Sequence, residues 1–476
     1  MTDSKKLGPL SLQAVHDFAQ LSGDYNVVHV DPVASRRLLF GRIVAHGFHV
    51  LLLALDSWLS SAKSGPLILA RLAVQFPAPL DLEQEACCIV TRDDDANVEL
   101  QVCSGGATVA FISFTYVPQQ AHSASSVAPG LPPREEQANL SPEDMPTASG
   151  SVPLMLDRNL ANRLFPIVSA ELPALQLAAI LAATRAVAMR CPGLCCVCSA
   201  VELEFSGSGS CAQELEYAAS HLDKRFSLAT MGLSGPGVTG SVKAFLRPPP
   251  FAQESCTTLA PLVRPGEFAG QRALIIGGSR GLGEVTAKLL TLGGAEVRLS
   301  YAHGEADCRR VVEEITAAGG LAQGLRFDVL APPERLREVL GGDFLPTHLY
   351  YYATPYFFQA AWSSFSPELF EQFCAYYVCG LLLTLDAAQG LGLTELRLFS
   401  PSSALVGNPP ANMGEYAAAK CAAEALCTFL QKTRPGLRIW SDRLPRLATD
   451  QTASLLPVEN LAAAPVLLDI LRRMEE

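Results

Sequence analysis

The chain has 476 residues, 49% of them hydrophobic and 17% charged, with a formal net charge of -11. That length is too great for one core and implies two or three domains. The acidic balance argues against a nucleic-acid partner, which a phosphate backbone would repel, and no stretch reaches the ~20 uninterrupted apolar residues of a membrane span.

The N-terminus, Met1-Thr2-Asp3-Ser4-Lys5-Lys6, is followed by no apolar signal region, so a cytoplasmic location is expected. Next come Ser22-Gly23-Asp24-Tyr25-Asn26-Val27-Val28-His29-Val30-Asp31 and Ala45-His46-Gly47. A helical apolar run, Phe48–Leu59, precedes strand-like segments at 68–75, 86–91, 98–103 and 108–116. Residues 119–152, rich in Ser, Pro, Ala and Gln, read as a linker. A second helical run, Leu175–Met189, precedes strand-like segments at 198–205, 215–221, 226–231 and 240–246. Arg71-Leu72-Ala73-Val74-Gln75-Phe76 matches Ala200-Val201-Glu202-Leu203-Glu204-Phe205, so blocks 1–118 and 153–247 form a tandem repeat in which a curved sheet wraps a helix.

The fourteen cysteines read as reduced thiols. The densest group, Cys191, Cys195, Cys196 and Cys198, lacks zinc-site spacing, and no metal is expected. After a second linker at 248–267, residues 268–476 alternate strand and helix: a strand at 273–276, a Gly-rich turn, helix 284–292, strand 296–300 and helix 307–318. That is the spacing of a doubly wound parallel sheet.

Asp24 and His29 stand on a loop before the long helix. A carboxylate and an imidazole there can share proton transfer at carbons two and three of an acyl chain. Asn26 can hold the turn by side chain to backbone bonds. Gly47 begins the helix, whose N-terminal N–H groups and partial positive charge suit a thioester oxygen. The Ser-Gly-Asp-x-Asn-x-x-His-x-Asp string with its later Ala-His-Gly resembles the (R)-specific enoyl hydratase/MaoC dehydratase family, of hot-dog fold. The resemblance implies Asp24 and His29 as the catalytic pair on 3-hydroxyacyl or 2-enoyl thioesters. Val27 stands where the family usually has proline. The second repeat has no such motif and resembles the non-catalytic half of a double hot-dog, with Arg185 and Arg190 read as helix-surface charges.

In the last block, Gly277-Gly278-Ser279-Arg280-Gly281-Leu282-Gly283 follows a strand and opens a helix, where N–H groups can cradle a pyrophosphate. Lys420 follows Tyr416 by one helical turn, a spacing expected to bring the ammonium beside the phenol and lower its pKa. Ser403 would hold the same substrate oxygen. These residues resemble the short-chain dehydrogenase/reductase superfamily, especially 3-oxoacyl reductases. The resemblance implies Ser403, Tyr416 and Lys420 as catalytic, with Gly277, Ser279, Arg280, Gly281, Leu282, Gly283, Asp328 and Ala353 holding the cofactor. Arg280, and the absence of an acidic residue after Leu299-Ser300-Tyr301, favour NADP(H). Three departures from the family stand out: Tyr351-Tyr352-Ala353-Thr354 for Asn-Asn-Ala-Gly, Tyr377 for an asparagine, and Pro445-Arg446 for Pro-Gly.

The expected architecture is therefore an α+β double hot-dog followed by an α/β Rossmann-type domain. The expected function is bifunctional: 3-oxoacyl reduction and dehydration of the 3-hydroxyacyl product, or the reverse, on a thioester of coenzyme A or acyl carrier protein. The alternative is a dehydratase whose reductase-like domain serves as a scaffold. Homo-oligomerisation is expected by analogy with reductase folds.

Overall fold

A computed structural model describes residues 4–476 except 63–64, 95, 119–126, 207–212, 248, 333, 336–337, 339–343, 357–364, 392–394 and 455–457. The chain divides into two units, Met1–Pro249 and Pro250–Ala453 with Val458–Glu476. None of the described helices is long and apolar enough to cross a membrane.

The first unit begins with strand β1 (Ser4–Lys6), helix α1 (Leu12–Ser22), the single turn α2 (Val27–Val30) and the long helix α3 (Gly47–Ala62). Strands β2 (Leu67–Gln75), β3 (Ala86–Asp94), β4 (Asn97–Ser104) and β5 (Ala107–Pro118) come next. Phe48, Val50, Leu51, Leu52, Ala54 and Leu55 of α3 are all buried. A helix apolar on every side must be enclosed, and the sheet encloses it. The second half repeats the plan with β6 (Ser149–Pro153), helix α4 (Ala174–Arg185), β7 (Cys196–Phe205), β8 (Glu214–Asp223), β9 (Leu228–Gly235) and β10 (Val238–Leu246).

All ten strands form one sheet in the order β1-β3-β4-β5-β2-β7-β10-β9-β8-β6. The seam is the antiparallel β2–β7 pair, with Leu72 opposite Leu203 and Val74 opposite Val201. The two segments that resemble each other in sequence are thus each other's partners. Cross-repeat hydrogen bonds reinforce the seam. The Asp56 carboxylate accepts from the N–H groups of Ile167 and Val168 at 2.8 and 2.9 Å. The Gln176 side chain meets both the N–H and the carbonyl of Leu69 at 2.9 and 2.7 Å.

The segment expected to be a linker, 119–152, is corrected in its described part. Residues 119–126 lie outside the described residues, but 127–152 are folded into the unit. Met145 is fully buried, β6 pairs with β8, and Ala138 exchanges backbone bonds with Met189 and Leu194 at 2.8 and 2.7 Å. The prolines here set extended and turn conformations without preventing packing.

In the second unit, β11 (Arg272–Ile276), α5 (Gly281–Leu292), β12 (Glu296–Tyr301), α6 (Glu305–Ala317), β13 (Leu321–Arg326), β14 (His348–Tyr351), α7 (Pro367–Cys374), α8 (Leu381–Gln389), β15 (Leu396–Phe399), α9 (Gly414–Thr433), β16 (Leu437–Trp440) and α10 (Ala463–Arg473) alternate. A π-helical stretch, Ala375–Gly380, joins α7 to α8. The six strands are parallel, in the order β13-β12-β11-β14-β15-β16. The central pair is almost wholly apolar and buried on both faces, as parallel strands covered by helices must be.

The expected linker at 248–267 is likewise corrected. Cys256 and Leu259 are buried, the Cys256 N–H donates to Glu314 at 2.8 Å, and Lys288 Nζ donates to the Glu254 carbonyl at 3.0 Å. That lysine belongs to a buried ion cluster, 2.9 Å from both Glu284 and Glu314, with Arg310 closing on Glu284 at 2.8 Å.

Candidate functional site

In the first unit the site grows from the end of α1. Gly23 caps that helix at φ 77, in the left-handed region. A Cβ there would lie 2.7 Å from Arg185 Cδ, so glycine is needed both for the turn and for the close approach. Asp24, 2% exposed, then points inward. Its Oδ1 accepts from the Asn26 N–H at 3.1 Å and its Oδ2 from the Thr184 hydroxyl at 2.7 Å. Asn26 caps α2 through the Val28 N–H at 3.2 Å and donates to the Gly193 carbonyl at 3.4 Å. Val27, standing for proline, simply opens α2.

His29 Nδ1 lies 2.8 Å from the Val44 carbonyl, so that nitrogen carries the hydrogen and Nε2 is left as a base. His46 Nε2 meets the Asp24 carbonyl at 3.0 Å and lies 4.0 Å from Asp24 Oδ1. The His29 and His46 ring centroids are 3.9 Å apart. Gly47 opens α3 immediately after His46, where the first N–H groups have no intrahelical acceptor. Ligand-type atoms of Asp24, His29 and His46 all lie within 4.8 Å of one another, close enough to share a small cation.

Burial dominates the electrostatics. It pushes the Asp24 carboxyl up, while His29, the Thr184 hydroxyl and the Asn26 N–H pull it back. It pushes His29 down against the attraction of Asp24, with Arg247 adding to the downward shift. His46 is held well below the usual imidazole range, and His49 falls to about 3, both chiefly by burial. A carboxyl raised and an imidazole lowered, side by side, are matched for passing a proton.

In the second unit the Gly-rich turn lies between β11 and α5. A Cβ on Gly283 would fall 2.3 Å from the Gly277 carbonyl oxygen, so the turn closes only with glycine there. Gly281 and Leu282 open α5, aiming its free N–H groups outward from the turn. Ser279 is buried, and Ala353 abuts Gly277 just beyond β14. Asp328 comes just after β13 and accepts from the Leu330 N–H at 3.0 Å. Arg280 is shared with Asp450 across 3.7 Å, so a phosphate would have to compete for it.

Ser403 hydrogen-bonds Tyr416, as their roles require. The expected effect of Lys420 is corrected. Its Nζ sits 3.9 Å from the Tyr377 ring centroid and 6.0 Å from that of Tyr416, and donates to the Pro401 carbonyl at 2.8 Å. Burial raises the Tyr416 phenol, with only the Ser403 hydroxyl lowering it, and pushes Lys420 down to about 8. The aromatic face of Tyr377 takes the ammonium by a cation–π contact, and the Tyr377 hydroxyl meets Thr354 Oγ1 at 2.5 Å.

Residues 3–112 match the family described as MaoC like domain. An uncharacterized oxidoreductase of Methylorubrum extorquens is 45% identical over 63 residues, 13% of this chain, and the match spans only 25% of that relative. Among solved structures, a short-chain dehydrogenase from Burkholderia cenocepacia in complex with NADP is 24% identical, covering 44% of this chain and 91% of that one, with a TM-score of 0.37. A short-chain dehydrogenase from Salmonella enterica gives 20% identity, 44% and 92% coverage and a TM-score of 0.40. A 3-oxoacyl (acyl-carrier-protein) reductase from Agrobacterium tumefaciens with NADP bound gives 23%, 39%, 73% and 0.34.

The catalytic loop of the MaoC-like domain is held by residues of the second repeat that sequence reasoning did not single out. Thr184 binds the Asp24 carboxylate. Arg185, expected on a helix surface, is corrected: it is 2% exposed and donates to the carbonyls of Ser22, at 3.4 Å, and Pro153. Met189 sulfur lies 3.3 Å from the Tyr25 nitrogen, Arg134 stacks over the Tyr25 ring at 4.9 Å, and Arg190 pairs with Glu135 at 2.9 Å. The signal was present: α4 is apolar all round, so a Thr-Arg pair at its end had to be buried with it.

Proposed function

We propose that this chain is a bifunctional acyl-thioester enzyme. The first unit dehydrates a 3-hydroxyacyl thioester to the 2-enoyl thioester, and the second reduces a 3-oxoacyl group with NADPH. The observation that carries the reading is the buried Asp24–His29 pair with His29 Nε2 left open, inside the segment that matches the MaoC like domain.

In dehydration, His29 Nε2 takes the proton from carbon two as the carbon–carbon double bond forms. The bond from carbon three to oxygen breaks, and Asp24, in its acid form, gives a proton to the departing hydroxyl, which leaves as water. The Gly47 N–H at the start of α3 steadies the thioester oxygen as charge develops there. Hydration is the reverse. Acid and base thereby exchange forms, and direct proton return between the adjacent groups resets them.

For the second unit, Gly277, Ser279, Gly281, Leu282 and Gly283 would hold the dinucleotide's pyrophosphate, with Asp328 and Ala353 beside it. NADPH, when bound, supplies the hydride. Tyr416 gives its proton to the ketone oxygen, Ser403 holds that oxygen, and Lys420 keeps the pocket cationic. The Lys420–Tyr377 contact favours a second reading, a dehydratase whose nucleotide-binding unit has lost reductase chemistry.

A coupled assay with a 3-oxoacyl thioester and NADPH separates them. Nicotinamide absorbance and acyl-product mass report the two steps. Tyr416→Phe is expected to stop NADPH oxidation, while Asp24→Asn spares it and halts loss of water. Unchanged oxidation in Tyr416→Phe would remove the reductase assignment.

A further inference from the structure

Arg247 lies immediately after β10 and is 3% exposed. Its backbone N–H donates to the Cys195 carbonyl at 3.0 Å, and its Nη2 donates to the Leu194 carbonyl. The adjacent carbonyl, that of Gly193, takes the Asn26 side chain. The guanidinium therefore stands one peptide away from the catalytic loop. Its Nε and Nη1 meet no acceptor, and no carboxylate pairs with it among the described residues. The thiols beside it, Cys195 and Cys196, are pushed up by burial and stay neutral, so they cannot balance its charge.

The other inward-facing arginines are better provided for. Arg190 has Glu135, Arg42 has Asp81 at 2.5 Å, and Arg185 directs both Nη groups at carbonyls. A buried cation with unfilled donors is costly unless an anion arrives to meet it.

We infer that Arg247 is a specificity-determining residue, receiving a carboxylate carried on the acyl group, so that the preferred substrates are dicarboxylic acyl thioesters. The inference deepens the proposed dehydration at Asp24 and His29 and rests on that reading. The carrier's own phosphates stay at the protein surface, whereas a side chain this deeply buried meets what the pocket encloses. The same carboxylate would cancel the charge that opposes protonation of His29.

The test is calorimetric binding of saturated ligands, which cannot turn over: glutaryl-CoA, its methyl ester, valeryl-CoA and free coenzyme A. The wild-type chain is expected to bind glutaryl-CoA about 10- to 100-fold more tightly than either neutral thioester. Arg247→Gln should erase that preference and leave valeryl-CoA binding unchanged, and Arg247→Lys should restore part of it. Equal wild-type affinities for glutaryl-CoA and its methyl ester would overturn the inference while leaving the thioester site standing. Loss of all four ligands in Arg247→Gln, free coenzyme A included, would assign the arginine to a carrier phosphate and also overturn it. Failure of every thioester to bind the wild type would defeat the underlying reading as well. Should Arg247→Gln not fold, the wild-type comparison of acid with ester decides alone.

Discussion

Thr184→Val tests whether the second repeat tunes the acid of the first. Valine keeps the volume and removes one hydroxyl, which donates to Asp24 Oδ2 at 2.7 Å in a site closed to water. A hydrogen bond to a charged group contributes about 1.5–3 kcal/mol. At roughly 1.36 kcal/mol per unit, its loss raises the Asp24 pKa by about one to two units. The sign comes from the direction of the contact: the hydroxyl favours the carboxylate, so removing it favours the acid. Because dehydration uses Asp24 in its acid form, the alkaline limb of kcat/KM against pH should move to higher pH by that amount. The rate at the optimum should fall about tenfold or more, because the carboxyl is no longer aimed. The assay is enoyl absorbance from a 3-hydroxyacyl thioester between pH 5 and about 10, with near-ultraviolet circular dichroism to confirm folding. A folded variant whose alkaline limb stays in place would refute the argument.

Gly283→Ala should weaken NADPH binding at least about tenfold by fluorescence titration, since the new methyl would lie 2.3 Å from the Gly277 oxygen and force the turn open. Lys288→Met should lower the stability of the second unit by about 3 kcal/mol in chemical denaturation, the low end for a broken buried pair, because Arg310 still meets Glu284. Retained stability in Lys288→Met would mean that the cluster contributes little beyond its apolar packing.

Periodicity makes much of the architecture legible. The run Phe48–Leu59 is α3, and the strands near 68–75, 98–103 and 240–246 lie close to where alternation puts them. Segments whose pattern is local are readable; contacts made across long separations are not. Composition misjudges 119–152 and 248–267 because proline and serine disfavour regular elements without preventing burial, as Met145 and Leu259 illustrate. Alternation also places Phe226 in a strand, yet Asp223 and Arg225 close a turn there through a carboxylate–N–H bond at 3.0 Å.

At the sites, the motif residues Asp24, His29 and His46 converge. Thr184 and Arg247 carry no motif, and only the tertiary fold brings them to the loop. The i,i+4 rule correctly puts Tyr416 and Lys420 on one helix face, but it cannot foresee that Tyr377 stands nearer the ammonium.

The β2–β7 seam makes the two copies unequal partners in one task. One copy keeps the reacting groups, and the other, freed from chemistry, clamps and surrounds them. Changes in that second copy can therefore alter which molecules are accepted while the reacting atoms stay untouched. An ancestral duplication of this kind separates invention from maintenance within a single continuous sheet.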